Sequence, residues 1–486
     1  MEPVPPSQST ISGFRPASVR ARLSVLLAVV AGATLRVWML QKFFAFRGDS
    51  QLYGGMAKNL LLHGRYAITD GSGVVHSTLI RLPGYPLFLA ACFRVFGMEN
   101  YGAAVAIQIA LELLGCLLLA VFAYRISQPA FKAGAAHATL WLAVLCPFTA
   151  VYAAEPLTEG LTCFCIALAM WSVARFQDRP RWLSALAFTF AATFAALLRP
   201  DGALVAVALA PVIIFVLCRP PAALPNRRRI AQMILVCVLL ALTPFAAWTV
   251  RNWRVFHVVQ PLAPRYATDP GEDTFPGWQR WMKTWCLDFV STNEIYWNVP
   301  GAPLDLSKLP VRAFDSPAQY AETAVIAADY EANGEDLSRA LDERFRRLAD
   351  ERIQAHPLRY YVWLPLGRVA DMWLRPRVEN LPIDLDWWVY AHHYSETRFS
   401  WFYAGINAFY LLLGVAGLCM RPRLWLAMLA YMLLRSAMLL TVEAPEARYT
   451  LECFPMLFVL GGIAFYRFTY WVLLSVLKVK ASAGND

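Results

Sequence analysis

About ten apolar runs, each near the length a helix needs to cross a hydrocarbon core, recur along this chain: 23–40, 102–124, 134–152, 157–174, 182–198, 203–218, 230–250, 401–420, 424–442 and 451–468. A backbone in lipid must satisfy every N–H and C=O within itself, which leaves helices as the solution for runs of this kind. The expectation is an all-α polytopic membrane protein. Composition agrees, since 58% of the residues are hydrophobic and 16% charged, against roughly 45–50% and about 25% in soluble chains. The formal charge of +10 does not point to nucleic acid, because the arginine clusters punctuate apolar runs and form no basic face.

Charge placement orients the spans, because cytoplasmic loops collect Lys and Arg. Residues 1–22 are Pro/Ser-rich and end in Arg15, Arg20 and Arg22. No small-residue cleavage site follows the first apolar run, so it reads as an uncleaved span with a cytoplasmic tail before it. Asp49 then falls outside. The run at 83–97 is about fifteen residues long and holds Arg94, too short to span, and is expected to be an interfacial or re-entrant helix. With that choice Arg125, Lys132, Arg175, Arg179, Arg181, Arg227, Arg228, Arg229, Arg421 and Arg423 all fall inside.

Residues 251–400 lack a full span and are expected to be an extracytoplasmic loop or small domain. Within it 318–354 reads as helical and polar, and 360–374 as an amphipathic stretch resting on the membrane. The chain thus divides into a tail at 1–22, a membrane module at 23–250 with its first outer loop at 41–101, the loop at 251–400, membrane helices at 401–477 and a cytoplasmic tail at 478–486.

The outer face collects the acids Asp49, Glu155 and Glu159 and the cations Arg65, Arg81, Arg199, Arg251 and Arg448. Such a set suits transfer of a group from an anionic, lipid-anchored donor to a hydroxyl. A carboxylate accepts the hydroxyl proton, its pKa expected to rise with partial burial, while arginines hold the phosphate that leaves. Each residue has a plainer role open to it. Asp49 would serve as a helix N-cap, Glu159 as an acid favoured at a helix start, Arg81 and Arg251 as snorkelling cations, and Arg199 as a helix C-terminal cation. Glu112 lies near the middle of its span and calls for a buried partner, with Arg435 or a hydroxyl as candidates. The pair His392-His393 could ligate a metal, but no constellation of acids and further histidines stands out to complete such a site. Trp278, Trp281, Trp285, Trp387 and Trp388 suit either an interfacial belt or stacking on sugar rings.

Several stretches carry a family resemblance: GDSQLYGGMAKNLLLHGRYA in the first outer loop, RLPGYPLFLAACFRVFG after it, VYAAEPLTEGL, LLRPDG, TPFAAWTVRNWRVFHVVQPL and RYTLECFP. In this order they resemble the GT-C fold glycosyltransferases, the group that includes protein O-mannosyltransferases, lipid A aminoarabinose transferases and rhizobial lipopolysaccharide-core transferases (glycosyltransferase family 39-like). The resemblance covers roughly 23–259 and leaves the loop after Tyr266 without a counterpart. It implies a polyprenyl-phosphate sugar donor, a hydroxyl acceptor on an extracytoplasmic glycan, lipid or protein, and a site on the outer face of a bacterial inner membrane. It also implies Asp49 as the base, Tyr53 one turn further along, Glu159 as the second acid in preference to Glu155, and Arg81 with Arg251 on the donor phosphate. Arg199 and Arg448 would support them. Some relatives carry two adjacent acids in the first loop; here Ser50 follows Asp49, which argues against a metal held there. No cofactor motif is present. A divalent ion stays open, because two carboxylates and a phosphate suit one while arginines perform the same neutralisation. Alternative readings are a polymerase or ligase with a pyrophosphate-linked donor and a lipid or solute transporter.

Overall fold

The structure, a computed structural model, describes residues 19–46, 48–219, 226–384, 386–388 and 392–483, leaving the side chains of Arg20 and of 476–483 outside the description. Arg15, most of the 1–22 tail, and the Lys478 and Lys480 side chains therefore lie beyond it.

The chain is nearly all-helical. From the start it runs α1 (Val19–Phe43), α2 (Asp49–His63), a short hairpin β1 (Ala67–Thr69) and β2 (Val75–Ser77), α3 (Gly84–Phe96) and α4 (Tyr101–Ile126). Then come α5 (Lys132–Val144), α6 (Pro147–Ala153), α7 (Glu159–Asp178), α8 (Trp182–Leu198), α9 (Leu204–Cys218) and α10 (Arg227–Phe256). In the segment that charge placement assigns to the outer side are α11 (Pro276–Lys283), the single turn α12 (Phe289–Ser291), α13 (Pro317–Ala332), α14 (Arg339–Ala355) and α15 (Leu364–Leu374), and the chain closes with α16 (Tyr394–Cys419), α17 (Trp425–Leu439) and α18 (Phe454–Ala483).

Among the described residues seven helices are long and apolar enough to span, or eight when α5 and α6 count as one span bent by 54°. The expected span 134–152 is thus broken, at Cys146, where Pro147 opens α6 and cannot continue the preceding hydrogen-bond ladder. The count of about ten is reached only with the shorter apolar helices α8 and α17. The run at 83–97 does form a short helix, α3.

Burial separates the centre of the bundle from its lipid face. The most apolar window of α7 is 83% buried and that of α10 only 11%, so α7 is the core helix and α10 presents Leu235, Leu239 and Leu242 outward. Helix α7 is 20 residues long, about 30 Å, so its ends lie at opposite ends of the bundle. At the far end Asp178 accepts from Arg125 at 3.0 Å and also pairs with Arg423. Three loops that the charge rule placed on one side therefore meet there. Glu159 begins the other end.

Within the bundle Glu112 has a partner the sequence reading missed. Arg36 of α1 donates from Nε to Oε2 at 2.6 Å and from Nη2 to Oε1 at 2.8 Å. Its third nitrogen donates to the carbonyls of Gly32 and Val144. Arg435 is engaged elsewhere. Burying a charge in hydrocarbon is tolerable only with every donor and acceptor met, and this fork-to-fork geometry meets them.

The outer segment has an apolar core of its own. Trp278, Trp281 and Trp285 are fully buried there with Phe345 and Tyr330. They are neither a membrane belt nor a sugar platform, because Trp278 and Trp281 of α11 pack on Phe345 of α14 and Trp285 packs edge-on against Trp281. The polar stretch 318–354 forms two helices separated by a turn through Gly334, which takes φ +73. The stretch at 360–374 is helical and leaves Tyr361, Trp363, Leu366 and Leu374 exposed, as an interfacial element would.

Removing one side of the Arg36–Glu112 pair leaves an uncompensated buried charge, which costs about 3–5 kcal/mol. Arg36→Met is therefore expected to lower the melting temperature of the detergent-solubilised protein sharply. Arg36→Met combined with Glu112→Leu should recover most of that loss, and recovery is the reading that distinguishes the pair from two independent contacts.

Candidate active site

Asp49 is the first residue of α2, after Gly48 at φ +57. A residue with a Cβ rarely adopts that backbone, so the glycine sets the entry angle. The plain cap role does not hold: Gly48 is the capping residue and no side-chain cap bond forms. The Asp49 carboxylate turns instead to two arginines. Arg81 Nη2 donates to Oδ1 at 2.9 Å and Arg448 Nη2 to Oδ2 at 3.2 Å.

Arg448 is the junction of the site. Besides Asp49 it pairs with Glu446, 2.6 Å from Nε, and approaches Glu159 Oε1 at 3.7 Å. Glu159, the first residue of α7 and 1% exposed, accepts from Arg199 Nη1 at 2.9 Å. Arg199 continues the series to Asp201 and Glu452, both of which also pair with Arg435. Five carboxylates and four guanidiniums thus run without a break from Arg81 at the outer end to Arg435 inside the bundle.

Packing beneath Asp49 fixes its distance from Glu159. Tyr53, one turn further along α2, stacks edge-on against Tyr85 with ring centroids 5.1 Å apart. The Tyr85 hydroxyl donates to Gln108, whose amide in turn donates to the carbonyls of Ala153 and Glu155 just ahead of α7. Burial, then the charge of Asp49, pushes the Tyr53 hydroxyl up to about 12. It therefore stays neutral.

The electrostatics of Asp49 differ from the sequence expectation. Burial does act to raise its pKa, but the charges of Arg448 and Arg81 outweigh it and hold the carboxyl down at about 2. The site contains an ionised carboxylate clamped by two arginines. As it stands it is a weak base.

Arg251 is placed differently from Arg81. Its nitrogens donate to the carbonyls of Thr78 and Tyr66, both at 2.7 Å, and its guanidinium lies against Tyr66, Trp248 and Phe256. It clamps the two feet of the β1–β2 hairpin. The Tyr66 hydroxyl then donates to the carbonyl of Arg81, so Arg251 bears on the site through the loop that carries Arg81. Glu155 likewise stands beside the network: its Oε2 accepts from Asn380. Arg65 remains exposed.

The sequence reading missed Glu446, Glu452 and Asp201 as members, and Tyr449, whose hydroxyl donates to Glu446. Asp201 and Glu452 lie in the LLRPDG and RYTLECFP stretches it quoted, and a short apolar-flanked acid was the available signal. His393 also has acids the reading did not give it: Asp384, Asp386 and Glu396 surround it, and Asp384, His393 and Glu396 are close enough to share an ion. This set sits in the outer segment and makes no ion pair with the Asp49 network among the described residues.

Fold and site together define a multi-pass membrane protein with an arginine-clamped carboxylate at one end of its bundle. Residues 80–248 match the family model described as dolichyl-phosphate-mannose-protein mannosyltransferase. The match bears out, over that stretch, the resemblance to GT-C glycosyltransferases; it takes in Arg81, Glu159 and Arg199 and leaves Asp49, Arg251 and Arg448 outside. No curated protein matches the chain. Among solved structures it is similar to ArnT from Cupriavidus metallidurans bound to undecaprenyl phosphate, at 15% identity and a TM-score of 0.38 over 91% of this chain and 78% of that one. The apo form of the same protein gives 14% identity and a TM-score of 0.35, covering 92% and 78%. Similarity at that level carries no functional inference.

A carboxyl whose pKa is lowered in the folded state contributes stability above its unfolded value and loses it as pH falls through the folded one. The difference in melting temperature between the wild type and Asp49→Asn is therefore expected to hold constant from pH 5 to pH 8. It should shrink only below about pH 4, toward the folded value of about 2. A difference that disappears near pH 6 would contradict the clamp.

Proposed function

We propose that the protein is an integral-membrane glycosyltransferase that moves one sugar from a polyprenyl-phosphate carrier to a hydroxyl of an extracytoplasmic acceptor, working in the bacterial inner membrane with its site on the outer side. The observation that carries the reading is the Asp49 carboxylate held between two arginines at the membrane end of α2. The family match across residues 80–248 supports the same class of chemistry.

In the proposed step the acceptor oxygen attacks the anomeric carbon and its proton passes to Asp49. The bond from that carbon to the phosphate oxygen breaks, and polyprenyl phosphate leaves with the electron pair. Inversion at the anomeric carbon follows from a single displacement. Arg81 and Arg448 are the groups suited to the leaving phosphate. Donor arrival resolves the difficulty of a weak base: once these guanidiniums turn to the phosphate, Asp49 loses the charges that depress its pKa and becomes a better proton acceptor. Glu159 and Glu446 hold Arg448 in place during the exchange. Tyr53, neutral and buried, walls the base from the bundle interior.

Charge balance favours a monophosphate donor over a pyrophosphate one. Among the described residues two guanidiniums, those of Arg81 and Arg448, reach the Asp49 carboxylate, a set suited to one phosphate group, whereas a second phosphate would call for more cations. A divalent ion bridging Asp49 and the phosphate would supply the same neutralisation; it would have to displace Arg81 and Arg448 from that carboxylate.

Asp49→Asn keeps the size of the side chain but loses its charge and one of its two arginine bonds, cannot accept the proton, and is expected to abolish transfer in proteoliposomes supplied with polyprenyl-phosphate sugar. Full activity of that variant in a folded, inserted protein would refute the assignment. Arg81→Ala is expected to raise the KM for donor, and to lower kcat by about 10²-fold or more, the scale of losing one transition-state donor. Arg251→Ala should instead reduce stability and activity together, because it acts through the hairpin.

A further inference from the structure

Between the end of α15 and the segment that leads into α16 lies a cavity of about 440 Å³, bordered by Asp288, Asp371, Arg375, Trp387 and Trp388. Its size is within the roughly 300–1,000 Å³ of small-molecule sites. The two indoles stand nearly perpendicular, their centroids 5.8 Å apart at 81°, and Trp388 is 50% exposed, so ring surface is open to the space. Two buried polar atoms have no hydrogen-bond partner among the described residues: Oδ2 of Asp371, an acceptor, and Nε1 of Trp387, a donor. Buried polar groups are normally paired, so these two atoms are available to a ligand or to water.

We infer that this cavity binds a pyranose ring of the acceptor saccharide, with its C–H face on Trp388 and its hydroxyls on Asp371 and the Trp387 indole. The inference rests on the glycosyltransferase reading and extends it to the acceptor side. A pyranose presents apolar C–H faces and a rim of hydroxyls that both donate and accept, which is the combination the cavity leaves unmet. A phosphate or other anion would meet two carboxylates, Asp288 and Asp371. An acyl chain would strand Asp371 and Arg375 against hydrocarbon.

The cavity is also joined to the catalytic end by one strap of chain. Past Arg375 comes Arg377, which donates to the carbonyl of Ala447, the neighbour of Arg448, and then Asn380, which donates to Glu155. A saccharide seated beside the strap lies alongside the segments that hold the acid network. Burial raises the Asp371 carboxyl to about 6, Arg375 opposing, so near neutrality it can switch between accepting from a hydroxyl and donating to one.

Saturation-transfer NMR with a panel of methyl pyranosides, on the full chain in detergent, tests the site. The wild type is expected to transfer saturation to the ring C–H protons of at least one pyranoside. Trp388→Ala and Asp371→Ala should each weaken that binding by about tenfold, the loss of one stacking face or one hydrogen-bonding partner. Trp388→Ala should keep the wild-type melting temperature, since Trp388 is half exposed. Asp49→Asn should bind as the wild type does. Absence of signal from every pyranoside, or an unchanged signal in both cavity variants, overturns the inference. A signal lost only in Asp49→Asn places the sugar at the catalytic acid and overturns it as well. Failure of the transferase reading would show separately, as transfer activity surviving in Asp49→Asn.

Discussion

One guanidinium, that of Arg448, ties together three segments far apart in sequence. It reaches Asp49 at the start of α2, Glu159 at the start of α7 and Glu446 on its own approach to α18. A cation with this many partners at the edge of a bilayer is held by mutual need, since each carboxylate would be costly to bury alone and the arginine likewise. The position of α2 over the bundle follows from it. So does the low pKa of Asp49, which ties the proposed base to the occupancy of the phosphate site.

The same constraint organises the interior. Arg36 and Glu112 form one closed pair, and Arg435 with Asp201 and Glu452 forms the deep end of the site network. Deep charges in a membrane protein persist when they are matched and when function requires them. The first pair is structural, joining α1 to α4 and to the carbonyl where α5 ends. The second braces Arg199, and through it Glu159, from beneath. Helices that approach closely enable this: Gly84 packs against the backbone of Leu197, where a Cβ would stand 2.6 Å from a carbonyl, bringing α3 and the residues after Arg81 up to the end of α8 and Arg199.

Much of the membrane architecture was legible because hydropathy and arginine placement report directly on the bilayer. The convergence of Asp49, Arg81, Glu159, Arg199 and Arg448 was legible for the same reason, since sidedness alone puts them on one face. What sequence could not show was pairing. Glu112 needed a cation, but the choice of Arg36 over Arg435 depends on helix rotation, which apolar runs do not encode. Arg251 reads as a phosphate ligand or a snorkelling cation until the hairpin carbonyls are seen beside it. Trp278, Trp281 and Trp285 read as an interfacial belt or a platform for sugar rings, because exposed Trp near a membrane serves either, whereas a small apolar core claims them here. The direction of the Asp49 shift was missed because desolvation and ion pairing oppose each other, and only distances decide between them.

The account turns on the arginines leaving Asp49 for the donor phosphate. The most direct measurement is a cryo-electron-microscopy structure of the full chain in nanodiscs with a phosphonate analogue of polyprenyl-phosphate sugar, in which carbon replaces the scissile oxygen. The phosphonate is expected on Arg81 and Arg448, with an oxygen of Asp49 freed of both and facing the space beside the anomeric carbon. A phosphonate bound elsewhere, with both arginines still on Asp49, would contradict it.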